Sequence, residues 1–169
     1  MIRVIWRRLL GLFLVLVMAW LLVLLSATPA YAQENTVNYA LTDLSYRNFS
    51  NRNLVGGVFA GAEMRGTNFQ GADLSKSIFT KANLLKANLE GANLTDSWAD
   101  RVILDQANLT NANLTNAMMI STRFYDAEIT GADFTDAFID RYQAKLMCER
   151  AEGVNPVTGI STRYSLGCR

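Results

Sequence analysis

The residues able to do covalent or acid–base chemistry in this chain are few, and their spacing is unhelpful to catalysis. There is no histidine among the 169 residues, and only two cysteines, Cys148 and Cys168. Without imidazole, a His-dependent triad, a His-ligated metal and a His-based pH switch near neutrality are all excluded. No Ser or Cys has a positioned base in the sequence pattern, no Gly-rich loop suits a phosphate, and the carboxylates are scattered rather than paired. No catalytic, cofactor-binding or metal-binding residue is therefore assigned, and the chain is expected to be non-enzymatic. The two cysteines lie 20 apart near the end of the sequence. They lack the CxxC spacing of redox or zinc pairs and have no companion ligands, so they read as a structural disulfide. Closing such a loop stabilises a fold by on the order of 3 kcal/mol.

The disulfide reading depends on export, and the first 32 residues support it. MIRVIWRR carries Arg3, Arg7 and Arg8; residues 9–25 are an uncharged apolar run of 17; Ala30-Tyr31-Ala32 then fits small-x-small cleavage before Gln33. Residues 1–32 are therefore expected to be a signal peptide cut between Ala32 and Gln33. The alternative is an uncleaved anchor, since 17 apolar residues can cross a thin bilayer. Arg7-Arg8 lacks the polar context of a twin-arginine signal, so the general secretory route is favoured. The whole chain has 16 Lys+Arg and 15 Asp+Glu. Removing the leader takes three Arg and leaves a single domain's length near −2 in charge, which argues against nucleic acid as a partner. No small-molecule substrate is expected, and contact with a membrane only through an uncleaved leader.

The middle of the chain is periodic. Every fifth position from Leu44 to Ile139 is apolar: Leu44, Phe49, Leu54, Phe59, Met64 and so on, with Ala99 the one small member. Two residues earlier sits a small residue in most cases, such as Ala82, Ala87, Ala92, Ala107 and Ala112. A period of five fits neither helix nor plain strand. It requires a chain that turns a corner in each pentad and returns one large side chain to an axis. In extended chain the large residue and the small one two before it point inward, so the residue between them points outward. That outward position is mostly Asn or Asp. The corners hold Gly56, Gly61, Gly66, Gly71, Gly91 and Gly131, as tight turns favour.

The tandem A-[ND]-[LF]-x-x motif, in ANLLK, ANLEG, ANLTN and ADFTD, resembles the pentapeptide-repeat family over about residues 42–141. The resemblance implies an all-β fold, a right-handed quadrilateral parallel β-helix with four pentads per coil. Twenty pentads then make about five coils, a rod about 24 Å tall at strand spacing. Residues 33–41 would form a lead-in that caps the first coil. Residues 142–169 would form a partly helical cap, with Leu146 against the last coil and the disulfide holding it. The tail N-P-x-T-G…T-R-x-S-L-G-C is similar to that of exported family members from the thylakoid lumen of cyanobacteria and plastids. That implies a lumenal location, with the periplasm as the alternative.

Four pentads per coil place residues 20 apart in one column. Three outward columns are polar or nearly so. The fourth is Val58, Ile78, Trp98, Met118 and Phe138, apolar at every rung over about 20 Å. Contiguous apolar surface of this kind marks a partner site, a homodimer contact, or a face covered by the protein's own termini. Lys81, Arg101 and Arg141 stack at a bordering corner, with Asp100 and Asp140 beside them. Trp98 and Ala99 exchange the usual sizes, large outside and small inside, and Val102 at the next inward position would restore bulk to the core. The expected function is a non-catalytic scaffold that engages a protein partner or itself through this face. A purely structural repeat is the alternative. Topoisomerase protection by DNA mimicry, known in the family, would need a strongly acidic cytoplasmic rod.

Overall fold

The computed structural model describes residues 36–169 and, within the leader, residues 11, 13, 14 and 16–20, which are helical. The cleavage site at Ala32 and Gln33 and most of the expected signal peptide lie outside the described residues. No described helix is long and apolar enough to cross a membrane. The chain divides into two compact units, residues 1–35 and 36–169, and the repeats belong wholly to the second.

Each pentad is one short extended segment and one turn. The turn is closed by a backbone bond from the inward small residue to the large residue three before it, as from Ala87 N–H to Leu84 O at 2.9 Å. Its second corner residue adopts a left-handed backbone, the requirement of a type II turn. Six of these positions are glycine, but fourteen are not, among them Lys76, Lys81, Lys86, Asp96 and Arg101 with φ between 55° and 60°. Glycine matters most where a neighbouring side chain lies over the corner. A Cβ on Gly66 would stand 2.8 Å from the Tyr46 ring, and one on Gly71 would stand 2.5 Å from Asn51 Oδ1.

The extended segments pair in parallel with residues 20 further on, from Asn38↔Val58 through Asn113↔Asp133. The one regular two-stranded ladder among the described residues, β1 (Met118–Met119) with β2 (Phe138–Ile139), continues the same register. Leu89 N–H donates to Asn108 O at 2.7 Å and Asn108 N–H donates to Ala87 O at 2.9 Å, so these bonds run along the stack. Residues 38–41 belong to this ladder, since Tyr39 N–H donates to Val58 O and Leu41 N–H to Ala60 O. The segment expected to be a lead-in thus already forms a rung. Tyr39 holds the central place of the five-residue count and packs on Phe49 and Phe59 at 5.8 and 5.7 Å between ring centres.

The core is the inside of the stack. The central residues Phe59, Phe69, Leu74, Phe79, Leu84, Leu89 and Leu94 and the inward alanines are buried together. Phe59 stacks on Phe79 at 5.0 Å and Phe49 on Phe69 at 5.3 Å, because a repeat of 20 residues superposes like on like. Each fully buried Leu or Phe is worth about 1.5–3 kcal/mol. Ala99 is 2% exposed and Val102 is 1% exposed, so both lie inside where the pattern puts them.

After Ile139 the chain stops turning corners. Helix α1 (Arg141–Cys148) follows, and a short helix α2 (Thr162–Ser165) is capped by the Ser161 hydroxyl. Leu146, expected against the last coil, is only partly buried, and Met147 joins the core instead. Met147 and Gln143 are four apart and so share the inner side of the helix. Polar groups of this segment meet the edge groups that have no further coil to bond. Gln143 Oε1 accepts from Phe124 N–H, Asp140 Oδ2 from Ser121 N–H and Ser165 Oγ from Phe134 N–H. The Arg150 guanidinium donates to Ala127 O and Phe124 O. An unpaired sheet edge is thereby satisfied group by group. Cys148 and Cys168 form a disulfide.

Candidate functional site

The ladder brings the five expected residues into one column: Val58 pairs with Ile78, Ile78 with Trp98, Trp98 with Met118, and Met118 with Phe138. Asn38 adds a polar rung before Val58. Ile78 is 40% exposed, Trp98 54% and Phe138 60%; Val58 and Met118 are half-buried. No described segment covers the stripe. Val37 and Tyr39 pack toward the core. One exposed apolar residue at a bordering corner was not anticipated, Ile120 after Met118; Tyr142 is also exposed, in the first turn of α1. Ile120 is legible as the one large aliphatic residue at that corner. Tyr142 needed the helix start to be placed.

The tail runs over a different side. Asn155 is fully buried, and its amide donates to Asn111 O, Ala112 O and Gly131 O at 2.9–3.2 Å. Its carbonyl oxygen accepts from the Val157 and Thr158 N–H groups. Asn111 and Gly131 are corner residues between two polar columns, so the tail closes over polar surface. Asp133, at the top of one of them, is 1% exposed. In the sequence, residues 155–159 read only as a turn; an Asn-Pro pair signals a turn but not what the Asn side chain holds.

The polar columns are self-satisfied. Asn88 Nδ2 donates to Asn68 Oδ1, Asn108 Nδ2 to Asn88 Oδ1 and Asn93 Nδ2 to Asp73 Oδ1 at 3.1–3.3 Å. Their oxygens accept from backbone N–H groups two residues on, as Asn93 Oδ1 does from Thr95. Glu128 ends one such column. The Thr130 hydroxyl and backbone N–H bonded to it, with a small attraction from Arg150, hold its carboxyl below the usual value against the opposing effect of partial burial. Hydrogen bonds from Ser45 do the same for Asp43. On the remaining column Arg123 pairs with Asp105, which also accepts from Tyr125 N–H at 3.1 Å, and the guanidinium lies 5.6 Å from the Tyr125 ring centre. This group ties three side chains of adjacent rungs together and holds no nucleophile.

Corners flank the apolar stripe on both sides. The corner before it carries Lys76, Asp96, Asn116 and Asp136; the one after it carries Lys81, Arg101 and Ser121, whereas Arg141, expected in the same corner column, opens helix α1 instead, because the turns end at Ile139. Arg101 Nε bonds Asp100 at 2.7 Å. Lys76, Lys81 and Lys86 sit on three different corners and make no common patch. Among the described residues no cluster of three or more metal-ligating side chains occurs.

Comparison with known proteins places this architecture. Eight copies of the repeat described as pentapeptide repeats match residues 42–80, 59–96 and 100–136. A crystal structure of a pentapeptide repeat protein from the Arabidopsis thaliana thylakoid lumen is 37% identical, covers 86% of this chain and 99% of that one, and superposes with a TM-score of 0.74. A chloroplastic thylakoid lumenal protein of Arabidopsis thaliana is 54% identical over 33 residues, 20% of this chain and 12% of that protein's length. A plasmid-mediated fluoroquinolone resistance protein shares the fold alone, at 19% identity and a TM-score of 0.51, with 67% of this chain and 69% of that one covered. Solved members of the family are right-handed quadrilateral β-helices, generally non-catalytic. With the repeat matched across more than half its length and a full-length structural relative at 37% identity, the chain belongs to the pentapeptide-repeat family.

Proposed function

We propose that the protein is an exported, non-catalytic interaction module of the thylakoid lumen. In this reading the leader of residues 1–32 is removed before Gln33. About five coils then form a rod whose C-terminal segment, pinned by Cys148–Cys168, closes one end. The working surface is the column Val58, Ile78, Trp98, Met118 and Phe138. One observation carries the reading. Where the two Asn/Asp columns bond to themselves and to their own turns, this one holds apolar side chains at five successive rungs, and three of them are 40–60% exposed. Contiguous exposed apolar surface marks an interaction site, whereas scattered single apolar residues do not. The lumenal relatives support the compartment.

The test is a pair of substitutions on the face. Trp98→Ala with Met118→Ser should remove association with the partner and leave the thermal melting temperature within a few degrees of the unaltered protein. Association that survives both changes would overturn the assignment of the face. Cell fractionation of a tagged chain checks the compartment.

A further inference from the structure

We infer that Arg47 and Arg52 close the N-terminal end of the stack by charge and keep it from pairing with the same end of another copy. This holds whatever the apolar stripe binds. The observation concerns the inward position two before each central residue. In the later coils that position holds Ala, Ser or Thr, apart from Val102. Thr67 and Ala87 stand above Arg47, and Ala72 and Ala92 above Arg52, each no more than 1% exposed. In the first coil the same position holds the two arginines, on successive walls.

Their backbones keep the register. Arg47 N–H donates to Leu44 O and Arg52 N–H to Phe49 O, the bonds that close each turn. Arg47 O and Arg52 O accept from the Asn68 and Asp73 N–H groups on the rung above. A guanidinium is charged at any ordinary pH and is not left among Leu, Phe and Ala without a partner. The space above is filled by Thr67 and Ala72, and the sides are closed by the backbone itself. The long stem therefore carries the charged head out through the end of the stack, and both arginines are exposed.

The edge beneath them is one that could pair. In the later coils an outward residue donates its N–H to the rung below and accepts on its carbonyl from it, as Asn68 does with Arg47 and Phe49. Among the described residues, Asp43, Asn48 and Asn53 have no such rung below them. An edge of this kind takes on a further strand unless it is blocked, and charge at an inward position is one way natural edges are blocked. The C-terminal edge is satisfied by side chains of the cap; the N-terminal edge is protected by repulsion. Asp43 is the one acid of that coil and attracts Arg47. Two such ends brought together gather two guanidinium groups and one carboxylate from each copy, so the contact stays repulsive.

Sedimentation of the purified protein over a range of concentrations tests this. Arg47→Ala with Arg52→Ala gives the first coil the residue used above it. The pair should raise self-association on the order of tenfold or more, with the melting temperature within a few degrees of the unaltered protein. Each single alanine change should give a smaller rise of the same kind, which serves if the pair does not fold. Arg47→Lys with Arg52→Lys keeps the charges and should behave as the unaltered protein. Adding Asn48→Pro and Asn53→Pro to the alanine pair should reverse the gain, because each proline deletes an edge N–H that no described rung uses. Adding Trp98→Ala should leave the gain in place. Alanine variants that sediment as the unaltered protein does, or an equal rise in the lysine pair, would overturn the proposal. So would a rise that Trp98→Ala removes and the prolines do not.

Discussion

Two sides of the stack, built on the same backbone ladder, use their outward positions in opposite ways. On the column Asn53, Asp73, Asn93, Asn113 and Asp133 every side chain accepts a bond from its own turn, and Asn93 also donates to Asp73 on the next rung. On the column Val58, Ile78, Trp98, Met118 and Phe138 they bond to nothing and stand partly exposed. Yet Asn93↔Asn113 and Trp98↔Met118 are bridges of the same kind, with backbone bonds of 2.7 Å from Leu94 N–H and from Ala99 N–H to the rung above. The ladder is therefore indifferent to what its outward positions hold. Most of the stability comes from the inward residues and the backbone, which leaves outward positions that make no bonds free to carry function.

The sharpest way to break this comparison is to substitute neighbours on either side of the wall. Phe79→Ala, inside, removes a ring stacked on Phe59 and should cost about 3–5 kcal/mol in chemical unfolding. Ile78→Ala, next to it and outside, should stay within about 0.5 kcal/mol. Equal losses would mean that the apolar column is part of the core. A smaller effect is expected on the polar side. Asn93→Val deletes bonds to Asp73, Thr95 N–H and the Thr95 hydroxyl, and should cost about 1–2 kcal/mol, clearly more than Ile78→Ala. The smallest effect is that of acid. The Glu128 carboxyl is held below its ordinary value by Thr130, so its contribution is full above that ordinary value and fades as the pH falls through the lowered one. The melting temperature of the unaltered protein should therefore exceed that of Thr130→Val at about pH 6, and the gap should narrow toward about pH 3. A gap that widens would show that Thr130 does not act through the carboxylate.

Much of this was legible in the sequence because a period of five has few geometric solutions. The inward and outward positions follow from strict alternation, and the exchange at Trp98 and Ala99 could be read as a swap of sides because Leu104 keeps the count. What escaped was non-periodic. Asn155 could not be foreseen as a buried staple, since its partners Asn111, Ala112 and Gly131 are 24 to 44 residues away in the chain. Choosing between Leu146 and Met147 required the rotation of a helix of eight residues, which composition alone leaves open. The pairing of Asp105 with Arg123 was hidden because corner residues ordinarily face water. The non-glycine left-handed corners show that glycine is one answer to the turn and not its signature.

The separation of 20 between paired residues has a consequence for how such a chain can change length. Losing a block of that size would remove one storey and keep every column in line. Losing a single pentad would preserve the inward pattern and the hydrogen bonding just as well, but would rotate everything above the cut by a quarter turn. The apolar stripe would then continue on a neighbouring wall, above a polar one. Such a protein would fold and would have lost its face, so selection on that face would be visible as a preference for gaining and losing sequence in whole storeys.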